Sequence, residues 1–341
     1  MVSGIEEMKP YLELTVGGQF RRLRAAGLDA CRQFGIEVAE MKNLNHGENT
    51  TFRVTDTSGE KHVIRIHRPG YQTFETIDSE LLFLEAIAEN TDINVPKPRH
   101  TASGEHIVRV SARGVEGERY AVAFNWIDGR FIDERVTDRH MSLTGELTAK
   151  LHRFADNWKI PEGFTRRNWH DEFHLTNAAD RLEEFVNPKP FQDGYALMRK
   201  QMGAYGTDDN YGIIHADLHF GNVFFTPGGI AAIDFDDLGF ANYAYDYAVT
   251  MTTYRRDKRF EKLREAYGEG YEKVRPLPKD WRDRTEVFMA ARLIFMVDWF
   301  FTRDDNPRLR GYRDKALLIW EKSLERYLAT GSLREPAETA A

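Results

Sequence analysis

"IIHADLHFGNVFFTPGGIAAIDFDD", residues 213–237, decides how this chain is read. Ile213, Ile214, Val223, Phe224, Phe225, Ile230 and Ile233 are strand formers, yet His215, Asp217, Asn222, Asp234 and Asp236 stand among them. Burying such groups costs free energy unless each finds a partner. The turn signal "TPGG" makes residues 222–234 a β-hairpin, and Asn222 and Asp234, equidistant from Gly228, are then expected across from each other. Asp217 sits in the loop "HADLHFGN" just ahead, a second carboxylate close by. A hard cation such as Mg²⁺ takes carboxylate, amide and phosphate oxygens and completes its octahedron with water, and this spacing supplies such donors. His215-Ala-Asp217-Leu-His219 also has the alternation of a zinc site that activates water, but His152, His170 and His174 give it no second ligand cluster of convincing spacing. A hairpin with merely polar ends leaves three acid or amide groups beside Ile213, Ile214, Ile233 and Phe235 hard to explain.

The rest of the chain narrows the class. Its 341 residues are 41% hydrophobic and 30% charged, enough for two packed lobes. Cys31 is the only cysteine, which excludes an intrachain disulfide and points to a reducing, cytoplasmic setting; "MVSGIEEMKPYLEL" has no basic segment followed by a long apolar core. A net charge of −7 without a basic stripe argues against nucleic acid as partner. The most apolar run, "VFMAARLIFMVDWFF" at 287–301, contains Arg292 and Asp298 and is shorter than the roughly 20 residues that span a bilayer, so it reads as a buried helix and no membrane partner is expected. The tail "REPAETAA" is expected to fray.

Upstream, residues 19–34 read as a helix, "TFRVTDTSGEKHVIRIH" as a hairpin, "DSELLFLEAIAEN" as a helix that "VPKP" ends, and "HIVRV" and "RYAVAFNWI" as two more strands. From "SLTGELTAKLHRFADNW" onward the pattern is mainly helical. The expected class is therefore α+β: a small antiparallel sheet with one helix over residues 1–126 and a helical lobe over 127–341. Alternation in "KHVIRIH" sets Val63 and Arg65 on one sheet face. Glu80 shares an apolar helix face with Leu84 and Ile87, where an unpaired charge is unfavourable, and Arg65 is its natural partner, with donors to spare for phosphate oxygens.

The order of strand-borne cation, helix Glu, lobe boundary, His215-x-Asp217-x-x-x-x-Asn222 and Ile233-Asp234-Phe235-Asp236 resembles the aminoglycoside phosphotransferase and choline kinase group, small-molecule relatives of the protein kinases, over about residues 35–250. Within it, "IRIHRPGYQT", "SELLFLEAI", "IDFDDLGF" and "VDWFFTR" look most like homoserine kinase-like and stress-response kinase-like bacterial members. The resemblance implies a protein-kinase-like two-lobe fold and transfer of the γ-phosphoryl group of Mg²⁺-bound ATP to a small-molecule hydroxyl, in a monomer or homodimer. Asp217 would orient the acceptor hydroxyl, His215 brace the loop, Asn222 and Asp234 hold Mg²⁺, and Asp236 bind a second metal or a substrate group. The loop Asn45-His-Gly-Glu-Asn49 takes the place of the phosphate-covering loop, Arg65 that of the usual lysine, and Asp246 in "YAYDYA" looks structural. Adenine is expected between Val63 and Phe124, Asn125 and Trp126, whose backbone would bond it. Trp169, Asp171, Glu172, Tyr243, Tyr245, Asp298 and Trp299 could form an acidic, aromatic wall suited to an amino alcohol. Rival readings are a stress-response-type protein kinase, against which stands the lack of a clear activation segment between Asp234 and Asp246, and a nucleotide-binding pseudokinase, which would usually have lost Asp217 or Asp234.

Overall fold

Alternating apolar residues on either side of "TSGE" build the first sheet. A computed structural model describes residues 9–132, 135–205, 210–303 and 307–334, so the tail from Glu335 and the start before Lys9 lie outside the described residues. The chain divides into two units, residues 1–128 with 160–165 and residues 129–159 with 166–341. The division falls two residues beyond the expected boundary, and a short later segment returns to the first unit.

In the first unit the order is α1 (Val16–Gln33), β1 (Val38–His46), β2 (Thr50–Asp56), β3 (Lys61–Ile66), α2 (Phe74–Asn90), β4 (Val108–Val110) and β5 (Arg119–Asn125). The strands form one antiparallel sheet in the order β1-β2-β3-β5-β4. Asp56 closes the β2–β3 turn by accepting from the Ser58 and Glu60 N–H groups, both at 2.9 Å, while Gly59 supplies the positive φ of 91°. On one sheet face Phe52, Val54, Ile64 and Ile66 meet Leu23, Ala26 and Ala30 of α1, each large side chain adding about 1.5–3 kcal/mol by burial. Thr73 and Thr76 cap α2 reciprocally, which starts it a turn before the apolar run. The Ser79 hydroxyl accepts the Thr165 N–H at 2.8 Å and ties residues 160–165 to this unit.

The second unit contains α3 (Asp138–Asn157), α4 (Trp169–Glu172), α5 (Lys189–Tyr205), β6 (Tyr211–Ile214), β7 (Val223–Thr226), β8 (Gly229–Ala232), β9 (Gly239–Asn242), α6 (Ala244–Thr252), α7 (Phe260–Glu272), α8 (Trp281–Phe301) and α9 (Pro307–Thr330). β6 pairs with β9 and β7 with β8, both antiparallel. α3 and α7 approach closely because Gly145 and Gly270 lack side chains: a Cβ at either would strike the carbonyl of Tyr267 or of Ser142. α8 is the expected buried helix, and among the described residues no helix is long and apolar enough to cross a membrane.

Candidate active site

Arg65 and Glu80 form a two-pronged ion pair inside the first unit. Arg65 Nη1 and Nη2 donate to Glu80 Oε1 and Oε2 at 3.0 and 2.6 Å, and the residues are 5% and 1% exposed. The Arg65 guanidinium lies 5.0 Å from the Phe124 ring centroid. Val63 pairs with Phe124 across the sheet. Beside that pair the Asn125 N–H donates to the Lys97 carbonyl at 3.1 Å and the Trp126 N–H to the Lys61 carbonyl at 3.2 Å, which leaves the carbonyls of this segment for an adenine. Both donors are therefore spent on holding the end of β5. Asn49 is buried, and its carbonyl accepts the Gly47 N–H at 3.0 Å, closing the β1–β2 turn around the single glycine of that loop.

The second unit holds the residues of the opening stretch. β6 ends at Ile214, and Ala216 turns the chain through a left-handed φ of 68°, which costs an L-residue roughly 1–2 kcal/mol. Asp246, fully buried at the start of α6, supports that turn: its carboxylate accepts the His215 N–H at 3.0 Å and the Ala216 N–H at 2.7 Å. His152 Nε2 donates to the same carboxylate at 3.0 Å, and His152 Nδ1 accepts from the Tyr271 hydroxyl at 2.9 Å. Burial lowers the pKa of His152 despite the Asp246 charge, which matches a neutral ring with one proton on Nε2. His215 Nε2 donates to the Ile233 carbonyl at 3.0 Å and its Nδ1 accepts the Asp217 N–H at 3.3 Å. With both ring nitrogens occupied inside the loop, His215 fits a brace and not a zinc ligand.

Asp217 is held from both sides. Asn222 Nδ2 donates to the Asp217 carbonyl at 2.9 Å and to Oδ2 at 3.0 Å. His219 Nε2 lies 3.4 Å from Oδ2, and Arg292 Nη2, from α8, donates to Oδ1 at 2.5 Å. Burial alone would raise the Asp217 pKa, but the Arg292 charge, with His219 and His215, outweighs it and holds the carboxyl well below the usual range.

The hairpin register differs from the symmetric expectation. Val223 pairs with Ala232 and Thr226 with Gly229, so Pro227 and Gly228 form a two-residue loop. Extended one step, this register sets Asn222 against Ile233, whose N–H donates to the Asn222 carbonyl at 2.9 Å. Asp234 comes one residue later and adopts φ 65° and ψ 63°, which ends the strand. Asp236 is buried in the short 3₁₀ turn Phe235–Asp237, where its carbonyl accepts from Arg166. Since both Asn222 donors go to Asp217, its amide oxygen is left as the acceptor. An amide oxygen with the carboxylates of Asp234 and Asp236 is a hard-oxygen donor set, which fits Mg²⁺ better than a soft cation.

The expected aromatic wall does not form. Trp169, Tyr243 and Tyr245 are fully buried. The Trp169 indole donates to the Asp237 carbonyl at 2.9 Å and the Tyr243 hydroxyl to Asp156 at 2.5 Å. Asp298 is buried and accepts from the backbone of Asn177 and Ala178 at 2.6 and 3.2 Å, so it organises a turn. Asp171 is exposed and Glu172 and Trp299 half-buried. The residue that sequence reasoning missed is Arg292. Its signal was a lone cation in an apolar helix, with nothing to show that its partner is Asp217.

Comparison with known proteins places the chain in a family. The Phosphotransferase enzyme family matches residues 40–286. Amicoumacin kinase of Bacillus subtilis (strain 168) is 26% identical over 230 residues, covering 65% of this chain and 66% of that one, slightly under two thirds of the relative's length. Homoserine kinase of Methylobacterium nodulans is 26% identical over 267 residues, covering 74% and 78%. Among solved structures, a microcompartment-associated aminopropanol kinase superposes with a TM-score of 0.77 at 27% identity, covering 90% of this chain and 99% of that one. Amicoumacin kinase hAmiN, in complex with AMP-PNP, Ca²⁺ and Ami, superposes with a TM-score of 0.75 over 96% and 100% at 16% identity, a likeness of fold.

Proposed function

The chain belongs to the phosphotransferase enzyme family, kinases of protein-kinase-like fold that act on an alcohol group, and from that premise we propose that it moves the γ-phosphoryl group of Mg²⁺-bound ATP to a hydroxyl of a small molecule, an amino alcohol first among the candidates. The observation that carries this reading is the Asp217 carboxylate, fixed by Asn222 and Arg292 on a turn that Asp246 supports. The names of the relatives, an aminopropanol kinase and a homoserine kinase, favour the amino alcohol over a sugar or an aminoglycoside.

Asp217 orients the acceptor hydroxyl and takes its proton late in the transfer. Its low pKa makes it a weak base, which suffices where the transition state is loose and the attacking oxygen carries little charge until the bond forms. Asn222 and Asp234, with Asp236, would hold magnesium, which when bound neutralises charge on the phosphate oxygens. Arg65, oriented by Glu80, binds phosphate oxygen as an always-charged cation. The stretch between Asp234 and Asp246 is filled by the 3₁₀ turn, β9 and the start of α6, which leaves no room for an activation segment and disfavours a protein substrate.

The test is an ADP-release screen against amino alcohols, sugars, aminoglycosides and a generic protein. Turnover with one small-molecule class, abolished by EDTA and restored by Mg²⁺, is the expected result. Release only with the protein acceptor would replace this reading with a protein kinase, and nucleotide binding without any turnover would replace it with a pseudokinase.

A further inference from the structure

A second cluster of chemistry-bearing side chains lies in the first unit, where α2 meets the segment that leads to β4. The carboxylate of Glu85 and the imidazoles of His100 and His106 place one ligand atom each within 4.8 Å of the others. Glu85 Oε1 is 2.7 Å from His100 Nε2 and 3.2 Å from His106 Nδ1, and the two ring centroids are 5.4 Å apart.

The far side of each ring fixes what the near side can be. His100 Nδ1 lies 3.0 Å from the Gly104 carbonyl, which only accepts, so that nitrogen carries the proton. His106 Nε2 lies 2.7 Å from Asp78 Oδ1, again an acceptor, so it too carries the proton. The neutral rings then direct two lone pairs at a carboxylate oxygen that is itself an acceptor. Three electron-pair donors facing one point need a positive charge between them. Either the rings take up second protons, which at His106 the Glu85 and Asp78 carboxylates on its two sides would hold, or one cation replaces them. A histidine whose second nitrogen donates to a carboxylate or a backbone carbonyl is the usual arrangement around a bound metal, since that bond sets the tautomer and aims the ring.

We propose that Glu85, His100 and His106 bind a divalent transition cation, Zn²⁺ foremost, with Asp78 and the Gly104 carbonyl as the groups that aim the two imidazoles. Two nitrogens and one oxygen exclude Mg²⁺ and Ca²⁺ as favoured occupants, because those ions prefer oxygen throughout. Bonds of about 2.0–2.1 Å in a tetrahedron separate ligand atoms by about 3.3 Å. The His106 contact at 3.2 Å already meets that, and His100, with its side chain 45% exposed, has room to move outward. Water completes the shell. The cluster Asp56, Glu60 and His62 does not compare: His62 Nδ1 accepts from the Arg99 guanidinium at 3.3 Å, and that charge opposes a cation. A metal at Glu85 would pin α2, which also carries Glu80, to the residues before β4, so Zn²⁺ would stabilise the unit that holds the Arg65–Glu80 pair.

The experiment titrates Zn²⁺, and Co²⁺ as its spectroscopic stand-in, into full-length chelator-treated protein by calorimetry and visible absorption. Wild type should gain a tetrahedral Co²⁺ spectrum and a Zn²⁺ equivalent that His106→Gln and Glu85→Gln each lose, while both variants keep the wild-type far-UV circular dichroism. If the variants keep the spectrum and the stoichiometry, or if the wild type shows no tetrahedral band, the proposal is wrong. Should either variant fail to fold, His100→Gln at the exposed ligand decides by the same two readouts.

Discussion

Replacing Arg292 by methionine should release the Asp217 carboxyl from its strongest partner while keeping the length of the side chain on α8. The two charges meet at 2.5 Å, with 13% and 21% of the respective side chains exposed. Unit charges about 4 Å apart at an effective dielectric near 20 attract by about 4 kcal/mol, an upper bound of about 3 pH units at about 1.4 kcal/mol each. Asn222 and His219 stay in place and water reaches a fifth of the carboxylate side chain, so the Asp217 pKa should rise by about 1–3 units. Wild-type Asp217 titrates below the usual carboxylate range, so the stability it contributes is present above the unfolded pKa of about 3.9 and is lost as pH falls through the lower folded value. The variant should therefore show a weaker contribution from this group to acid unfolding.

The assay is a ¹³C titration of the Asp217 carboxyl in both proteins, with Asp217→Asn to assign the resonance. It needs no acceptor, and once an acceptor is known the acid limb of kcat/KM should move upward by the same amount. Arg292→Lys should keep a large part of the depression, since it retains the charge and loses the planar fork. If Asp217 titrates in Arg292→Met where it does in the wild type, the ion pair does not set its acidity and the account of a weak, orienting base falls.

Other substitutions probe the remaining supports. Asp217→Asn should leave ATP affinity within a few-fold and lower turnover by roughly 10²-fold or more, measured by calorimetry beside steady-state kinetics; equal loss of binding would contradict the role of Asp217. Arg65→Ala and Glu80→Ala should each cost about 3–5 kcal/mol in urea unfolding, because each strands a buried charge, and the double variant should cost far less than their sum; strict additivity would mean that the pair is not coupled. Burial lowers the His152 pKa, so the unfolded chain binds the proton first and stability should decline as pH falls below about 6.5. His152→Gln should reduce that slope by up to one proton, read from denaturant midpoints between about pH 8 and 5; an unchanged slope assigns it to other histidines.

The parts of the fold that were legible are those whose information is local. The β2–β3 hairpin shows as two alternating runs around a turn, and α8 as an apolar run longer than a strand, broken only by Arg292 and Asp298. β1 was not legible, because an edge strand with only Met41 buried carries no alternation. The expected register at Gly228 failed for a related reason. Symmetry of the residue types about "TPGG" favoured a centre on one glycine, whereas Gly229, at φ 138°, takes the conformation that lets Pro227 and Gly228 close the loop alone.

Partnership was legible only where both members announced a need. Arg65 and Glu80 lie 15 residues apart, each on an apolar face of its own element, so each charge required the other. Asp217 and Arg292 are 75 residues apart, and α8 is buried on nearly every side, so its periodicity gives no polar face from which to infer where Arg292 points. The same holds for Glu85, His100 and His106, since a histidine in a polar connecting segment costs nothing when exposed and so raises no question in the sequence. An unmet charge in an apolar pattern reveals that a partner exists, and only the packing of distant elements reveals which one. Residues that tune a site from a helix buried all round are for that reason the ones most readily missed, and Arg292 is where this site's acidity is set.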